Sequence, residues 1–479
     1  MRRCLVLLCA GACAFTALAQ SPGTFIPTGS MITSRGEHTA TLLTNGTVLV
    51  AGGLSTGFPA QFTASAELYN PATGAFTPAG NMTVARGQHT ATLLADGRVL
   101  IAGGRTGTDR TDGPQDLASA ELYNPSTGAF TPTGAMITLR GLHTATSLPD
   151  GRVLVTGCAI PCNSAIAELY DPASGRFADA GTPGAGGSAT TLLADGRVLI
   201  TGGCPADFHG TKAQIFDPLT GTFSFTGLMA GGCYNINTAT LLANGNVLFA
   251  GNSENDGFPA DAELYNPVAG TFTNLRQTIG PHEFAAATLI PDGTVLLTGG
   301  QLPGGSGDPG AELYAPATGT FAAAGQMITR RHYHTATLLP DGSVLIAGGF
   351  SVWPAATATA EIYRPPVLRN GPALLSLSGG QGAVLHAGTS HVVSAGEPAV
   401  IGEILEIYCT GLISGSLIPP QVSMAGGRAE VLWFGNTPGF VGLNQINVRV
   451  PGGIKPNSAV AVRVTYLGRP SNEVTIGVK

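Results

Sequence analysis

One hairpin unit recurs seven times along this chain, and that recurrence constrains its fold more than any other feature. In its first copy the unit reads His38-Thr39-Ala40-Thr41-Leu42-Leu43-Thr44-Asn45-Gly46-Thr47-Val48-Leu49-Val50-Ala51-Gly52-Gly53. The valine that opens its second half returns as Val99, Val153, Val198, Val247, Val295 and Val344, at spacings of 51, 54, 45, 49, 48 and 49 residues. A unit of this size cannot bury its apolar face alone, so copies must pack against one another.

Each copy reads as four short strands. The first, such as His89 to Leu94, ends in Asn-Gly or Asp-Gly, the pairs that favour the positive φ angles of a type I′ hairpin. The second, such as Val99 to Ala102, is a continuous apolar run and is expected to be buried on both faces. It ends in Gly-Gly in five units, in Gly157-Cys158 in the third and in Gly251-Asn252 in the fifth. The third strand is Ala-Glu-Leu-Tyr in most copies. A turn such as Asn70-Pro71-Ala72-Thr73-Gly74 then leads to a fourth strand opened by an aromatic: Phe76, Phe130, Phe177, Phe223, Phe272 or Phe321. The seventh unit has Glu361-Ile362-Tyr363 but then Arg364-Pro365-Pro366, with no fourth strand. The missing piece stands near the beginning, where Thr24-Phe25-Ile26-Pro27-Thr28-Gly29 matches Ala129-Phe130-Thr131-Pro132-Thr133-Gly134. Residues 24–29 are therefore expected to complete the last unit and close a ring, which removes exposed strand edges.

The double glycine, then tyrosine, then aromatic at these offsets resembles the kelch repeat over residues 22–366, with Phe where that family usually has Trp. The resemblance implies a seven-bladed β-propeller. After Pro366 the repeat stops. Residues 367–400 read as a linker with one strand at most, and short strands return over 401–479, including Glu403 to Tyr408 and Asn444 to Val450. The runs Val422 to Ala429 and Pro438 to Pro451 resemble an uncharacterised immunoglobulin-like module found at the C-terminus of many secreted bacterial proteins. The expected fold is thus all-β: a propeller over 21–366 and a small β-sandwich after it.

Composition narrows the functional classes. Only 11% of residues are charged, the formal net charge is −6, and lysine occurs just three times. No basic stripe exists for a nucleic acid. Residues 1–20 read as a secretory leader: Arg2-Arg3, an apolar stretch from Cys4 to Ala17, and Ala17-Leu18-Ala19 as a cleavage site. No later segment is apolar and long enough to span a membrane. A secreted, periplasmic or cell-surface location follows, and it permits disulfides. The expected pairs are Cys158–Cys162 and Cys204–Cys233, from loops on one face of the ring, with Cys409 buried and reduced.

Histidine opens the first strand in four units, as His38, His89, His143 and His334, always followed by Thr-Ala-Thr. That identical context marks a scaffold role, because a metal site would break the symmetry. Three residues earlier stand Arg35, Arg86, Arg140 and Arg331, with Tyr234 and His282 replacing the arginine in units five and six. Placed at the channel mouth, guanidinium groups would grip carboxylates or sugar hydroxyls. Together with Tyr333 and His334 these residues form the expected ligand-binding set. Glu67, Glu121, Glu168, Glu263, Glu312 and Glu361 persist with or without the histidine and read as structural. Acidic loops at Asp109–Asp116 and Glu254–Asp256 match no defined calcium loop.

Tyr333-His334 before Leu338-Leu339-Pro340-Asp341-Gly342 is similar to the galactose oxidase family of secreted copper radical oxidases. Those proteins combine a seven-bladed kelch propeller with an immunoglobulin-like domain, and an adjacent Tyr-His pair ligates their copper. The rest of their set is not matched. Their radical tyrosine follows Arg-Gly, where this chain has Arg35-Gly36-Glu37, Arg86-Gly87-Gln88 and Arg140-Gly141-Leu142. No cysteine occupies the first blade, and His386 and His391 precede the C-terminal strands that would carry the last ligand. On residues alone, the expectation is a non-enzymatic scaffold with no cofactor, copper included, that binds a protein or glycan at the loop face. A copper oxidase and a passive spacer are the alternatives.

Overall fold

The computed structural model describes residues 22–479 apart from 57–60, 108–114, 158–165, 185–186, 188, 203–211, 230–237, 252–260, 281, 368, 438–439 and 441. The expected leader and all four cysteines of the two expected disulfides lie outside the described residues. Cys409 is buried and free. No helix among the described residues is long and apolar enough to cross a membrane.

Seven four-stranded antiparallel sheets form the blades of a propeller. Blade one consists of Thr39–Leu42, Val48–Ala51, Ser65–Asn70 and Ala75–Asn81, from axis to rim. The second strand of every blade is buried along its whole length, because it packs against the neighbouring blade on each face. Blade seven takes its outer strand from the other end of the chain. Thr24–Pro27 pairs antiparallel with Ala360–Arg364 in the register Phe25↔Tyr363 and Ile26↔Ile362. Phe25 then stacks on Tyr363 at 5.0 Å, the same contact that Tyr69–Phe76 and Tyr123–Phe130 make at 4.8 Å inside their own blades. Such tilted aromatic pairs add to plain area burial.

The four repeat histidines lie between blades. His89 Nε2 meets the Thr39 hydroxyl at 2.9 Å, His143 meets Thr90 at 3.0 Å and His38 meets Thr335 at 3.1 Å. His334 reaches Thr298 at 2.9 Å, because the first strand of blade six has Ala286 where blades one, two and seven have the threonine that serves the other three histidines. Burial pushes His38 and His143 down to about 3, and nearby arginines push the same way, so these rings are neutral hydrogen-bonding spacers. Blade six has Ala285 in the histidine's place, and a cavity of about 380 Å³ opens among small residues of blades three to six, including Thr190, Thr240 and Ala286.

The C-terminal part is an immunoglobulin-like module built on one curled nine-stranded sheet. Its core gathers Leu405, Ile407, Cys409, Ile446, Val448, Val462 and Val464. Residues 367–400, expected to be a linker, instead contribute to it. Ala373–Leu374 and Val384–His386 both pair with Ile404–Thr410, and Leu374, Val384, Val393 and Ala399 are buried in the same core. Their Gly- and Ser-rich spacers disguise edge strands only two or three residues long. The module sits on the hairpin turns of the propeller. Gly371 N–H donates to Pro340 O at 2.7 Å, Leu417 N–H to Ala243 O at 2.7 Å, and Arg428 Nη2 to the Ser147 hydroxyl at 2.9 Å. The opposite end of the channel, where the first strands begin, forms the mouth.

Candidate functional site at the axial mouth

The second residue before the first strand takes an unusual backbone conformation at the mouth. Glu37, Gln88, Leu142, Phe284 and Tyr333 all hold it with positive φ, between 51° and 57°. For residues with a Cβ this conformation is uncommon and costs about 1–3 kcal/mol where nothing supports it. Here a relay of backbone bonds supports it. Tyr333 N–H donates to Phe284 O at 2.9 Å, Glu37 N–H to Tyr333 O at 3.1 Å, Gln88 N–H to Glu37 O at 2.9 Å, and Leu142 N–H to Gln88 O at 3.1 Å. The mouth is thus a belt of main chain that holds chosen side chains over the channel.

Two of these side chains are directly joined. Gln88 Nε2 donates to Glu37 Oε1 at 2.7 Å, while Gln88 Oε1 is buried with no hydrogen-bond partner. Burial pushes the Glu37 carboxyl up to about 7, against the opposing pull of the Gln88 hydrogen bond and of Arg105. Tyr333 neighbours it, and burial together with the charges of Glu37 and Glu283 raises its phenol far above the ordinary value. The Tyr333 ring stacks on Phe284 at 4.0 Å and 19°, with Phe350 and Trp353 around it at 6.2 and 6.5 Å. Sequence reasoning singled out Tyr333 but missed Glu37 and Gln88 as partners. The available signal was variation at one position, Glu, Gln, Leu, Gly, Ile, Phe and Tyr from blade to blade, inside an otherwise repeating context.

The position before the belt shows why the repeat has Arg-Gly there. A Cβ on Gly36 would lie 2.3 Å from the Phe350 ring, and one on Gly87 would lie 2.7 Å from Phe62. Blade seven breaks this rule with His332, whose ring sits 5.7 Å from Phe350 and 5.6 Å from Tyr333. It is fully buried and neither ring nitrogen has a hydrogen-bond partner. Burial lowers it to about 4, so it is a neutral imidazole at ordinary pH.

The structure places the expected arginines elsewhere. Arg35, Arg86, Arg140 and Arg331 are completely buried within their blades, each paired with the glutamate of its own third strand at 2.7–2.9 Å. Each also donates to the carbonyl of the glycine that ends the second strand, for example Arg86 Nη1 to Gly103 O at 2.7 Å. The glutamate's other oxygen accepts from the strand connection, as Glu67 Oε2 does from Ile32 N–H at 2.7 Å. All guanidinium donors are turned into the blade, so none of the four lines the mouth. In blade six His282 replaces the arginine and makes the same two contacts, to Gly299 O at 2.8 Å and Glu312 at 2.7 Å. His334 is an inter-blade spacer like its three counterparts. Tyr234 lies outside the described residues, as do Asp109, Asp112 and the loop Glu254–Asp256. Asp116 is described and pairs with Arg105 at 2.9 Å. Of the expected ligand-binding set, Tyr333 alone among the described residues stands at the mouth.

No family model and no curated protein matches this sequence. Among solved structures, it is similar to a fungal alcohol oxidase of the AA5 family in complex with copper. The match has a TM-score of 0.62 at 18% identity and covers 96% of this chain and all of the other. At this identity the likeness is one of fold, and it confirms the galactose-oxidase-like architecture of propeller and module. Because that neighbour is an enzyme holding copper, the match overturns the expectation of a non-enzymatic scaffold without cofactor and backs the oxidase alternative instead.

Proposed function

We propose that this chain is an alcohol oxidase whose reaction centre is the axial mouth, with copper as its redox group. One observation supports the reading above others: in a fold shared with a copper alcohol oxidase, the belt brings Glu37, Gln88 and Tyr333 together at the channel mouth. The chemistry of these residues fits the metal. Gln88 Oε1 and both nitrogens of His332 are buried polar atoms without partners. A phenol, a carboxylate and an imidazole make the mixed oxygen and nitrogen set that Cu(II) takes. Among the described residues no three His, Cys, Asp or Glu side chains gather as a metal cluster, so the set depends on Tyr333.

In this reading Tyr333 and Glu37 would hold the ion, and bound copper would supply redox chemistry that passes electrons from the alcohol to dioxygen. Gln88 fixes the Glu37 carboxylate through its 2.7 Å bond. Phe284 fixes the plane of Tyr333, and Phe350 with Trp353 keeps water from its flank. The overall change removes two electrons and two protons from a primary alcohol, breaking its carbinol C–H and O–H bonds, and dioxygen takes them up as hydrogen peroxide. The leader-like residues 1–20 support export of the protein to the same oxidising side where dioxygen and such substrates meet.

The test is copper loading of the purified chain followed by a peroxide-release assay on primary alcohols and sugar alcohols. Turnover is expected, with Tyr333→Phe and Glu37→Gln each lowering it by about 10²-fold or more, the scale of losing a group that acts at the reacting centre. Absence of peroxide from the copper-loaded wild type on every alcohol would overturn the proposal.

A further inference from the structure

The adjacent pair Tyr333-His334 invites the assignment of His334 as the metal's imidazole, but the structure separates the two roles. His334 does what His38, His89 and His143 do in their own blades: its Nε2 meets a threonine hydroxyl of the preceding blade at 2.9 Å. All four leave Nδ1 without a partner, so that orphan belongs to the repeat and not to a site.

His332 differs on every count. It stands where blades one to three have Gly36, Gly87 and Gly141, so it is an addition to the repeat. It has zero exposure, and both of its ring nitrogens lack partners. Its surroundings are apolar: Leu54, Phe350 and Ala356 form a buried cluster against which Phe62 and Tyr333 pack. A buried imidazole with a donor and an acceptor both unmet forfeits roughly 1–3 kcal/mol for each. The Phe350 carbonyl gives only a partial pull on the ring, whereas a ligand at the mouth would meet a nitrogen outright.

The main chain fixes this placement in the same way as it pairs Gly36 with Leu54 and Gly87 with Arg105 in blades one and two. His332 N–H donates to Phe350 O at 3.1 Å and Phe350 N–H returns to His332 O at 2.9 Å, so the residue is tied to the hairpin of Phe350–Val352 and Ala355–Ala356. Blade two has a matching hairpin, Arg105–Thr106 with Gln115–Asp116, but blade seven's carries Trp353, which flanks Tyr333.

We infer that His332, and not His334, is the imidazole donor to the metal ion at the axial mouth, acting beside Tyr333. This rests on the copper-site reading above and deepens it. The experiment is Cu(II) titration of the full chain, read by pulsed electron paramagnetic resonance for imidazole nitrogen and by chelator competition for affinity. Wild type is expected to show imidazole modulation. His332→Ala should remove it and weaken binding at least about 10-fold, since even residues that only support a metal ligand cost 10–100-fold. His334→Ala should keep the modulation, and lower only the unfolding midpoint. His332→Gln repeats the test with a side chain that fills the pocket, should the alanine variant fold poorly. Modulation and affinity that survive both His332 variants, or that disappear with His334→Ala alone, would overturn the assignment while leaving the oxidase reading in place. A wild type that binds no Cu(II) in a Tyr333-dependent way would overturn both.

Discussion

Replacing Glu121 by Gln tests what the buried arginines are for. Arg86 is fully enclosed, and its Nη2 lies 2.9 Å from Glu121 Oε1. Its other Nη donors go to Gly103 O at 2.7 Å, Ser119 O at 2.9 Å and the Ser119 hydroxyl at 3.0 Å, while Nε is buried without a partner. Glu121 Oε2 accepts from Thr83 N–H at 2.7 Å. Neutralising the carboxylate leaves a guanidinium buried among neutral dipoles, and breaking a buried pair in this way costs about 3–5 kcal/mol. Arg86→Ala should cost a similar amount, because it strands Glu121 and two carbonyl oxygens. The two losses share one interaction, so the double variant should fall short of their sum by about 2 kcal/mol or more. Nature has made a comparable double change in blade four, which carries Ala185 and Gln214 at these positions. There the Gln214 side-chain oxygen still accepts from Gly184 N–H at 2.7 Å. Urea unfolding, followed by intrinsic fluorescence with the midpoint and slope both fitted, provides the measurement. Asp195→Asn is the control, because the Arg197–Asp195 pair is close to half exposed and should cost no more than about 1 kcal/mol. A Glu121→Gln cost as small as the control's, or strict additivity in the double variant, would refute the argument. It would then reopen the mouth as the place where these cations act.

Three further outcomes follow from the same structure. Phe25→Ala strips the closing strand of its 5.0 Å contact with Tyr363 and should cost about 2–3 kcal/mol, somewhat below the range for a fully buried ring, with no loss in a variant changed at exposed Val268. Acid should destabilise the propeller before the carboxylates protonate. His143 is depressed to about 3, and His89 lies well below its ordinary 6.5, both chiefly through burial. A histidine whose folded value is depressed contributes stability that is complete above about 6.5 and is lost as pH falls from there toward the folded value. At pH 5 that amounts to about 2 kcal/mol for His143, and His143→Asn should flatten the pH dependence of the midpoint by that much. Gln88→Leu should keep the fold but free the Glu37 carboxylate, reducing copper affinity with little change in the unfolding midpoint.

The architecture was legible because it rests on local chemistry repeated many times. Asn-Gly and Asp-Gly turns, all-apolar second strands and Tyr–Phe pairs each report their own geometry, and the orphan segment at Thr24 matched a strand that the last unit lacked. The site was legible only in part. Spacing along a strand tells which residues share a blade, but not whether a long side chain turns toward the axis or back into the sheet. The arginines therefore read as mouth residues although their glutamate partners, some 30 residues away, hold them inside. One internal clue was present: blade four, which alone lacks the glutamate, also lacks the cation. Glu37 and Gln88 offered only the blade-to-blade variation of their position, because nothing about a non-glycine residue announces a left-handed backbone. The copper-free, non-enzymatic reading failed for a related reason: it compared motifs in order along the chain, while the likeness to the copper oxidase lies in the shape of the whole chain.

The belt at the mouth has a consequence for how such a protein changes over time. Its backbone conformation is fixed by main-chain bonds that any residue but proline can make, so the identity of each axial side chain is nearly uncoupled from the scaffold that presents it. Glutamate, glutamine, leucine, phenylalanine and tyrosine already occupy equivalent sockets here. Substitution at these sockets can be explored one at a time, or in combinatorial libraries, with little risk to folding. New chemistry at the mouth is thus within a few mutations, and so is its loss.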